Sequence, residues 1–409
     1  MNVYDVLNDR GFIEQASDEK RIRKTLSKPT TCYIGFDPTA NSFHVGSLVP
    51  IMALAHMQRH GHRVIALMGG GTALIGDPSG KTEMRRLISK DEIDSNARGM
   101  KSQLERFLDF AKDRALMLDN AEWLCKLNYI DFLRDVGRHF SVNRMLAAES
   151  YRQRLETGLN FIEFNYMILQ SYDFLYLYRH YGCTLQLGGN DQWGNILAGA
   201  DLIRRLEQGD AEALTFPLLT TASGGNMGKT EKGSVWLDAG RTTPYEYYQH
   251  WINTDDLDVG RFLALFTFLP MDEVRRLSAL EGEELREAKE ALAFEATRLN
   301  HGDREAGKAH KASRELFSGE ITGDDSAIPT FEIERRRLED GIPAFILFAD
   351  TKMVKTRGEA RRLIAQGGAY VNGRRLESFD EKISTDDLEE GCMLLRAGKK
   401  RYLRVRPST

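Results

Sequence analysis

Long apolar runs are missing from this chain of 409 residues. The longest, such as Phe262-Leu-Ala-Leu-Phe266, fall far short of the ~20 residues that cross a bilayer, so no membrane segment is expected. Cysteine is scarce: Cys32, Cys125, Cys183 and Cys392 are scattered, and none forms a C-x-x-C pair. That argues against a disulfide framework or a zinc centre, so no protein-held metal is expected and a reducing cytoplasm fits best. Net charge is also small, at -4, which argues against holding nucleic acid by bulk charge and leaves room only for a local basic patch. The start, Met1-Asn-Val-Tyr-Asp5, reads as neither a secretory signal nor an Arg-rich transit peptide. Internal repeats and low-complexity tracts are absent.

What is present is alternation. Thr31-Cys-Tyr-Ile-Gly-Phe36 and Arg63-Val-Ile-Ala-Leu-Met68 read as buried strands, and between them Leu48, Ile51, Met52 and Ala55 recur at helical spacing. Thr184-Leu-Gln-Leu187 and Thr215-Phe-Pro-Leu-Leu219 read as later strands, with helices around 161–180 and 191–207. Strands alternating with helices predict an α/β fold, a Rossmann-like doubly wound parallel sheet. From about Pro244 to Phe317 helical patterns dominate, Glu283 to Asn300 most clearly. The spacing divides the chain into a first domain over 1–222, a helical domain over 223–317, a linker over 318–341 and a small α+β domain over 342–409. That last stretch holds 14 Lys/Arg against 9 Asp/Glu, a local charge of +5 on a chain whose remainder carries -9. A basic tail on an acidic body points to nucleic acid at the C-terminus.

Several segments carry chemistry. Gly35 to Ser47 leaves the first strand and enters the first helix, the place where open parallel sheets bind ligands. His44 and Gly46 fall at the helix start, where free N–H groups favour a phosphate. Gly76-Asp-Pro-Ser-Gly-Lys-Thr82 and Gly224-Gly-Asn-Met-Gly-Lys-Thr230 look like Walker A loops but have three residues where four are required, which excludes a P-loop ATPase. Tyr166, Gln170 and Asp173 share one helix face as a stripe roughly 10 Å long. Leu185 to Asn195 reads as strand, Gly-rich turn and helix start. Thr356 to Gly373 reads as a basic helix, a Gly-Gly stop and a strand ending in an Asn-Gly hairpin.

These segments together resemble one family. Gly35-Phe-Asp-Pro-Thr-Ala40 with His44-Val-Gly-Ser47 resembles the H-I-G-H signature of class I aminoacyl-tRNA synthetases in its tyrosine-specific, bacterial form, with Ser47 at the second His. Leu74-Ile-Gly-Asp-Pro-Ser79, the Y-x-x-x-Q-x-x-D stripe and Gln186-Leu-Gly-Gly-Asn-Asp-Gln-Trp-Gly-Asn195 are similar to further segments of that family. Gly224 to Thr230 resembles its K-M-S-K-S loop, with Asn226 in place of the first Lys. The tail resembles a small RNA-binding module shared with a small-subunit ribosomal protein and pseudouridine synthases.

The resemblance implies activation of L-tyrosine by ATP, with Mg2+ arriving on the ATP, and transfer to the 3′-terminal adenosine of tRNA(Tyr) by a homodimer. The first domain would then bind ATP and tyrosine, and the helical domain would lie on the anticodon side. For tyrosine the resemblance implies Tyr33, Asp77, Tyr166, Gln170, Asp173, Gln186 and Gln192. For ATP it implies Gly35, Asp37, Thr39, His44, Gly46, Ser47, Gly189, Asp191 and Lys229. His44, Lys229, Thr230, Lys81 and Arg85 would stabilise the phosphates in the transition state. Arg357, Arg361, Arg362, Lys399, Lys400 and Arg401 would meet RNA. A rival expectation rests on Asn226: an activation-deficient relative that only binds RNA.

Overall fold

In a computed structural model of the chain, the described residues are 2–77, 79, 88–148, 151–152, 155–156, 158–220, 222, 227, 229–230, 233–318, 328–389, 391–398 and 401–408. For 229–230 and 316–318 only the backbone is described. Lys81, Arg85, Asn226, Lys399 and Lys400 lie outside this set.

The six-stranded sheet is built from β1 (Gln15–Ala16), β2 (Thr31–Phe36), β3 (Arg63–Met68), β4 (Ala115–Asp119), β5 (Cys183–Gly189) and β6 (Glu212–Phe216), in the order β1-β6-β5-β2-β3-β4. All neighbours are parallel except β1, which runs antiparallel on β6. Residues 64–68 of β3 are buried without alternation, as expected for a strand covered on both faces. The chain winds from β2 through β3 to β4, then returns to lay β5 on the other side of β2. The reversal of strand order between β2 and β5 opens a crevice at their carboxyl ends.

Three helices wall that crevice. Leu48–Arg59 follows β2 after a short turn, and 10 of its 12 residues are buried, so its sides pack all round rather than along one stripe. Tyr166–Tyr181 ends at Gly182, whose φ of +61° suits a residue without a Cβ. Trp193–Glu207 follows β5 and packs along Tyr166–Tyr181.

Three expected boundaries move. The strand expected over 215–219 is Glu212–Phe216, because Pro217 has no N–H for the ladder and Glu212 is held in the interior by Arg21 at 2.7 Å. The helical domain expected over 223–317 is not one body: residues Met1–Thr242 with His250–Asn300 form one compact unit, and Thr243–Gln249 with His301–Thr409 form the other. Long-range hydrogen bonds give the reason within the first unit. Arg10 donates to the carbonyls of Ala264 and Thr267 at 2.8 and 2.9 Å, and Arg106 to that of Asn300 at 2.8 Å.

The linker expected over 318–341 also shrinks, since Thr330–Glu334 is a strand paired in parallel with Arg401–Ser408. That strand completes a five-stranded sheet, in the spatial order Arg374–Arg375, Ala369–Val371, Met393–Ala397, Arg401–Ser408 and Thr330–Glu334. Helices Ala344–Asp350 and Arg357–Ala365 share a core with one face of this sheet, through Leu347, Phe348, Ile364, Val371, Leu395 and Val405.

Candidate active site

A cavity of about 620 Å³ lies at the carboxyl ends of β2 and β5. β2 contributes Tyr33 and Gly35, β5 contributes Gln186 and Gly189, and the helix Tyr166–Tyr181 turns Tyr166, Gln170 and Asp173 into it. The loop after β2 closes the remaining side with Asp37, Thr39, His44 and Ser47.

The deep end is built around a carboxylate. Asp173 is 2% exposed; its Oδ1 accepts from Trp123 Nε1 at 2.7 Å and its Oδ2 from Asn120 Nδ2 at 2.8 Å. Asn120 is itself fixed, accepting the amide of Gly71 at 2.7 Å and donating to Thr72 Oγ1 at 3.0 Å. Burial pushes the Asp173 carboxyl up to about 7; the two hydrogen bonds pull it back, and the charges of Asp37 and Asp119 add to the rise. Beside it, burial and the Asp173 charge hold the Tyr33 phenol well above its ordinary range. The Tyr33 hydroxyl and Gln186 Oε1 are buried and have no hydrogen-bond partner among the described residues. Leaving such groups unmade costs about 1–3 kcal/mol each, so this end is shaped for a polar ligand that completes them.

The middle of the cavity is acidic. Asp77 accepts the Ser79 amide at 2.8 Å and Gln192 Nε2 at 2.8 Å. Asn195 Nδ2 ties Gln192 Oε1 and Gln170 Oε1 together at 3.2 and 3.1 Å. The Tyr166 hydroxyl reaches Asp37 Oδ1 at 3.5 Å. A ligand cation fits here better than an anion.

The opposite end suits a nucleotide. Gly189 opens the turn that carries Asp191, and a Cβ there would fall 2.5 Å from Asp191 Oδ1. A Cβ on Gly35 would meet nothing within 4 Å and would occupy ligand space instead. His44 caps the 3-10 turn Val45–Ser47, accepting the Gly46 amide on Nδ1 at 3.0 Å. That bond assigns the proton of the neutral ring to Nε2, which makes the other edge a donor. Gly46 does not line the cavity; it fixes His44, and a Cβ on it would come within 2.7 Å of the ring.

The segment after the glycine-rich loop is strapped to this wall. The Val45 amide donates to the Val235 carbonyl at 3.0 Å, and the Leu237 amide to that of Phe43 at 2.9 Å. Trp236 is thereby set beside His44, with ring centroids 6.2 Å apart, and Arg241 lies 3.3 Å over the Trp236 ring. The backbone of Lys229–Thr230 pairs with Gly233–Ser234 as a short hairpin just before the strap.

The residues expected for tyrosine thus share one cavity, as do those expected for ATP apart from Gly46, while the Lys229 side chain lies outside the described set. Sequence reasoning missed Asn120, Trp123 and Trp236. Asn120 and Trp123 follow the apolar run Ala115-Leu-Met-Leu118, a strand signal that would have placed both at a carboxyl end of the sheet. In the other unit, Arg357, Arg361 and Arg362 stand exposed on one helix, and Arg401 Nη1 donates to the Met353 carbonyl at 2.7 Å. Among the described residues no group of three or more His, Cys, Asp or Glu could hold a metal ion, and no helix is long and apolar enough to cross a membrane.

Comparison with known proteins gives the family. The family described as tRNA synthetases class I (W and Y) matches residues 24–318, and the tyrosine–tRNA ligase SYY-like C-terminal domain matches residues 320–405. The chain is 57% identical to a tyrosine–tRNA ligase of Syntrophus aciditrophicus, covering 99% of each, and 54% identical to one of Caldanaerobacter subterraneus subsp. tengcongensis, again covering 99% of each. Among solved structures, a C-terminally truncated mitochondrial tyrosyl-tRNA synthetase of Aspergillus nidulans superposes with a TM-score of 0.70 at 30% identity, over 77% of this chain and 94% of that one.

Proposed function

Since the chain belongs to the class I tRNA synthetases (W and Y), we propose that the cavity between β2 and β5 is where it joins tyrosine to ATP. Its reaction is tyrosine–tRNA ligation with ATP as the energy source. The tyrosine carboxylate attacks the α-phosphorus of ATP in line, and pyrophosphate leaves. A ribose hydroxyl of the terminal adenosine of tRNA then takes the acyl group and releases AMP. No protein nucleophile takes part; positioning and charge stabilisation lower the barrier.

In this reading the phenol of the substrate donates to Asp173 and meets Tyr33, and its ammonium sits among Asp77, Tyr166, Gln170 and Gln192. Asp191 holds the ribose beside Gly189 and Gly35, and His44 donates to the α-phosphate region. Lys229 and Thr230, with Lys81 and Arg85, take the charge of the pyrophosphate, and Mg2+ arrives as part of the ATP substrate. The observation that carries the proposal is the tethered carboxylate of Asp173 beside the unpaired hydroxyl of Tyr33. An indole or a bare phenyl ring offers that pair no hydroxyl.

The test is tyrosine-dependent exchange of pyrophosphate into ATP without tRNA, run with tyrosine, phenylalanine and tryptophan. Exchange with tyrosine alone is expected. Silence with all three would mean that activation is lost and would leave RNA binding as the protein's role.

The tRNA substrate gives the tail its role. In this reading Arg357, Arg361, Arg362, Lys399, Lys400 and Arg401 meet its backbone, which is supported by the pre-ordering of Arg361 by Phe345 and Phe379, 4.1 and 5.3 Å from its guanidinium. We place the protein in the cytoplasm, in keeping with its four unpaired cysteines. We also propose a homodimer. Tyr129 (56% exposed), Ile130 (67%), Val142 (56%) and Phe161 (71%) leave more apolar surface in water than a monomer needs. Light scattering is expected to give twice 46.4 kDa, and a monomer mass at micromolar concentration would reject it.

A further inference from the structure

One face of the five-stranded tail sheet packs on its helices; the other carries a row of alternating cations and aromatics. Ala369 and Val371, Leu395 and Ala397, and Leu403 and Val405 turn toward the helices as part of the core or against it. By strand alternation Tyr370, Arg396 and Tyr402 stand on the far face. Register makes them direct neighbours: Tyr370 is opposite Arg396, and Arg396 is opposite Tyr402. Arg375, on the edge strand, is opposite Tyr370. The row therefore reads Arg–Tyr–Arg–Tyr across four strands.

The row is ordered, and no described carboxylate neutralises it. The Arg396 guanidinium lies 3.6 Å from the Tyr370 ring centroid, and its Nε is buried with no hydrogen-bond partner among the described residues. Neither Arg396 nor Arg375 has an ion-pair partner among the described residues. Arg374, one position along, is bound by both Glu381 and Asp387. Arg375 folds over the Gly367 turn at the end of the arginine helix, where any Cβ would collide with it. The cationic surface thus runs from that helix around the turn to the sheet row.

We propose that this row is a second RNA surface, a stacking platform for unpaired nucleotides of the tRNA. It rests on the reading of the chain as a tRNA ligase and adds to it a base-contacting face on the side of the tail opposite the arginine helix. Tyr370 and Tyr402 are two strand spacings apart, about 9.6 Å, so each ring takes its own base while Arg396 between them meets the connecting phosphate. Bases stack on tyrosine rings and on guanidinium planes alike, and such contacts need looped or unpaired RNA rather than a duplex.

The experiment uses the full chain and a tRNA(Tyr) transcript, with affinity measured across a salt series beside pyrophosphate exchange without tRNA. Replacing both Tyr370 and Tyr402 with leucine is expected to weaken tRNA binding about tenfold per ring, with the salt slope unchanged. Replacing both with phenylalanine keeps the rings and is expected to keep the affinity, which separates stacking from a merely structural part. Arg396→Met is expected to weaken binding and lower the salt slope by about one. Exchange stays at the wild-type rate in all variants. Unchanged affinity in the leucine pair, or equal loss in the phenylalanine pair, overturns the platform. Loss of exchange in the unmodified protein would count against the ligase reading instead.

Discussion

Asp173→Asn is expected to lower kcat/KM for tyrosine in pyrophosphate exchange by about 10³-fold while changing the slow reaction with phenylalanine by only a few fold. Each oxygen of the Asp173 carboxylate already accepts one strong hydrogen bond, from Trp123 Nε1 and Asn120 Nδ2. An amide in its place turns an N–H toward one of those donors and leaves two donors facing each other. The substrate phenol then loses its acceptor in a site that water does not reach. A buried group left unpaired costs about 1–3 kcal/mol, and the opposed donors bring the total to roughly 4 kcal/mol, or three powers of ten in rate. Phenylalanine has no hydroxyl to strand, so its reaction is spared. Equal losses for both substrates would mean that Asp173 only supports the fold.

The same carboxyl sets a pH dependence whose sign follows from its environment. Burial raises it to about 7, so below that pH the empty site holds a proton on Asp173. A phenol donating to the carboxylate favours the ionised form, so tyrosine binding expels that proton. KM for tyrosine is expected to rise toward tenfold per pH unit below 7 and to flatten above it, and Asp173→Asn is expected to remove the slope. For folding the sign is opposite to that of a salt-bridged carboxylate. Because the folded value lies above the ordinary carboxylate value of 3.8, the group's contribution is full below about pH 4 and is lost as pH rises through 7.

What could be read in advance was what local pattern dictates. β2 and β3 run over the expected Thr31–Phe36 and Arg63–Met68, because a continuous apolar run after one polar residue marks a strand buried on both faces. The Tyr166–Gln170–Asp173 stripe was legible because helical spacing fixes a face without knowledge of what lies opposite. β4 was missed because its strand signal, the apolar run Ala115–Leu118, is only four residues long and a run that short does not by itself separate strand from helix. With it went Asn120 and Trp123, although they determine how Asp173 behaves. Thr330–Glu334 alternates in strand fashion but follows a segment of linker composition, and its partner lies some 70 residues later in the chain. The Arg10 and Arg106 bonds that join the 250–300 helices to the first unit span more than 190 residues each, and no local signal carries them.

His44→Ala is expected to reduce the exchange rate at saturating substrates by about 10²–10³-fold, with KM for tyrosine unchanged within a few fold. The Gly46 amide occupies Nδ1, which leaves the proton of the neutral ring on Nε2 as a donor. Charge on the α-phosphate oxygens grows as the tyrosine carboxylate attacks, so a fixed donor there gains strength in the transition state and little in the ground state. Removing one such pre-positioned donor typically costs that much in kcat. The tyrosine pocket is formed by other residues, which is why its KM is spared. Alanine also frees the Gly46 amide, which water at the half-exposed turn can take up, so the fold is expected to survive. His44→Asn separates the two roles, because its side chain can still cap the turn but cannot extend a donor as far. Recovery of stability without recovery of rate would assign His44 to catalysis. A rate restored along with the cap would reduce it to a structural turn, and a raised KM for tyrosine with normal turnover would remove it from the phosphate altogether.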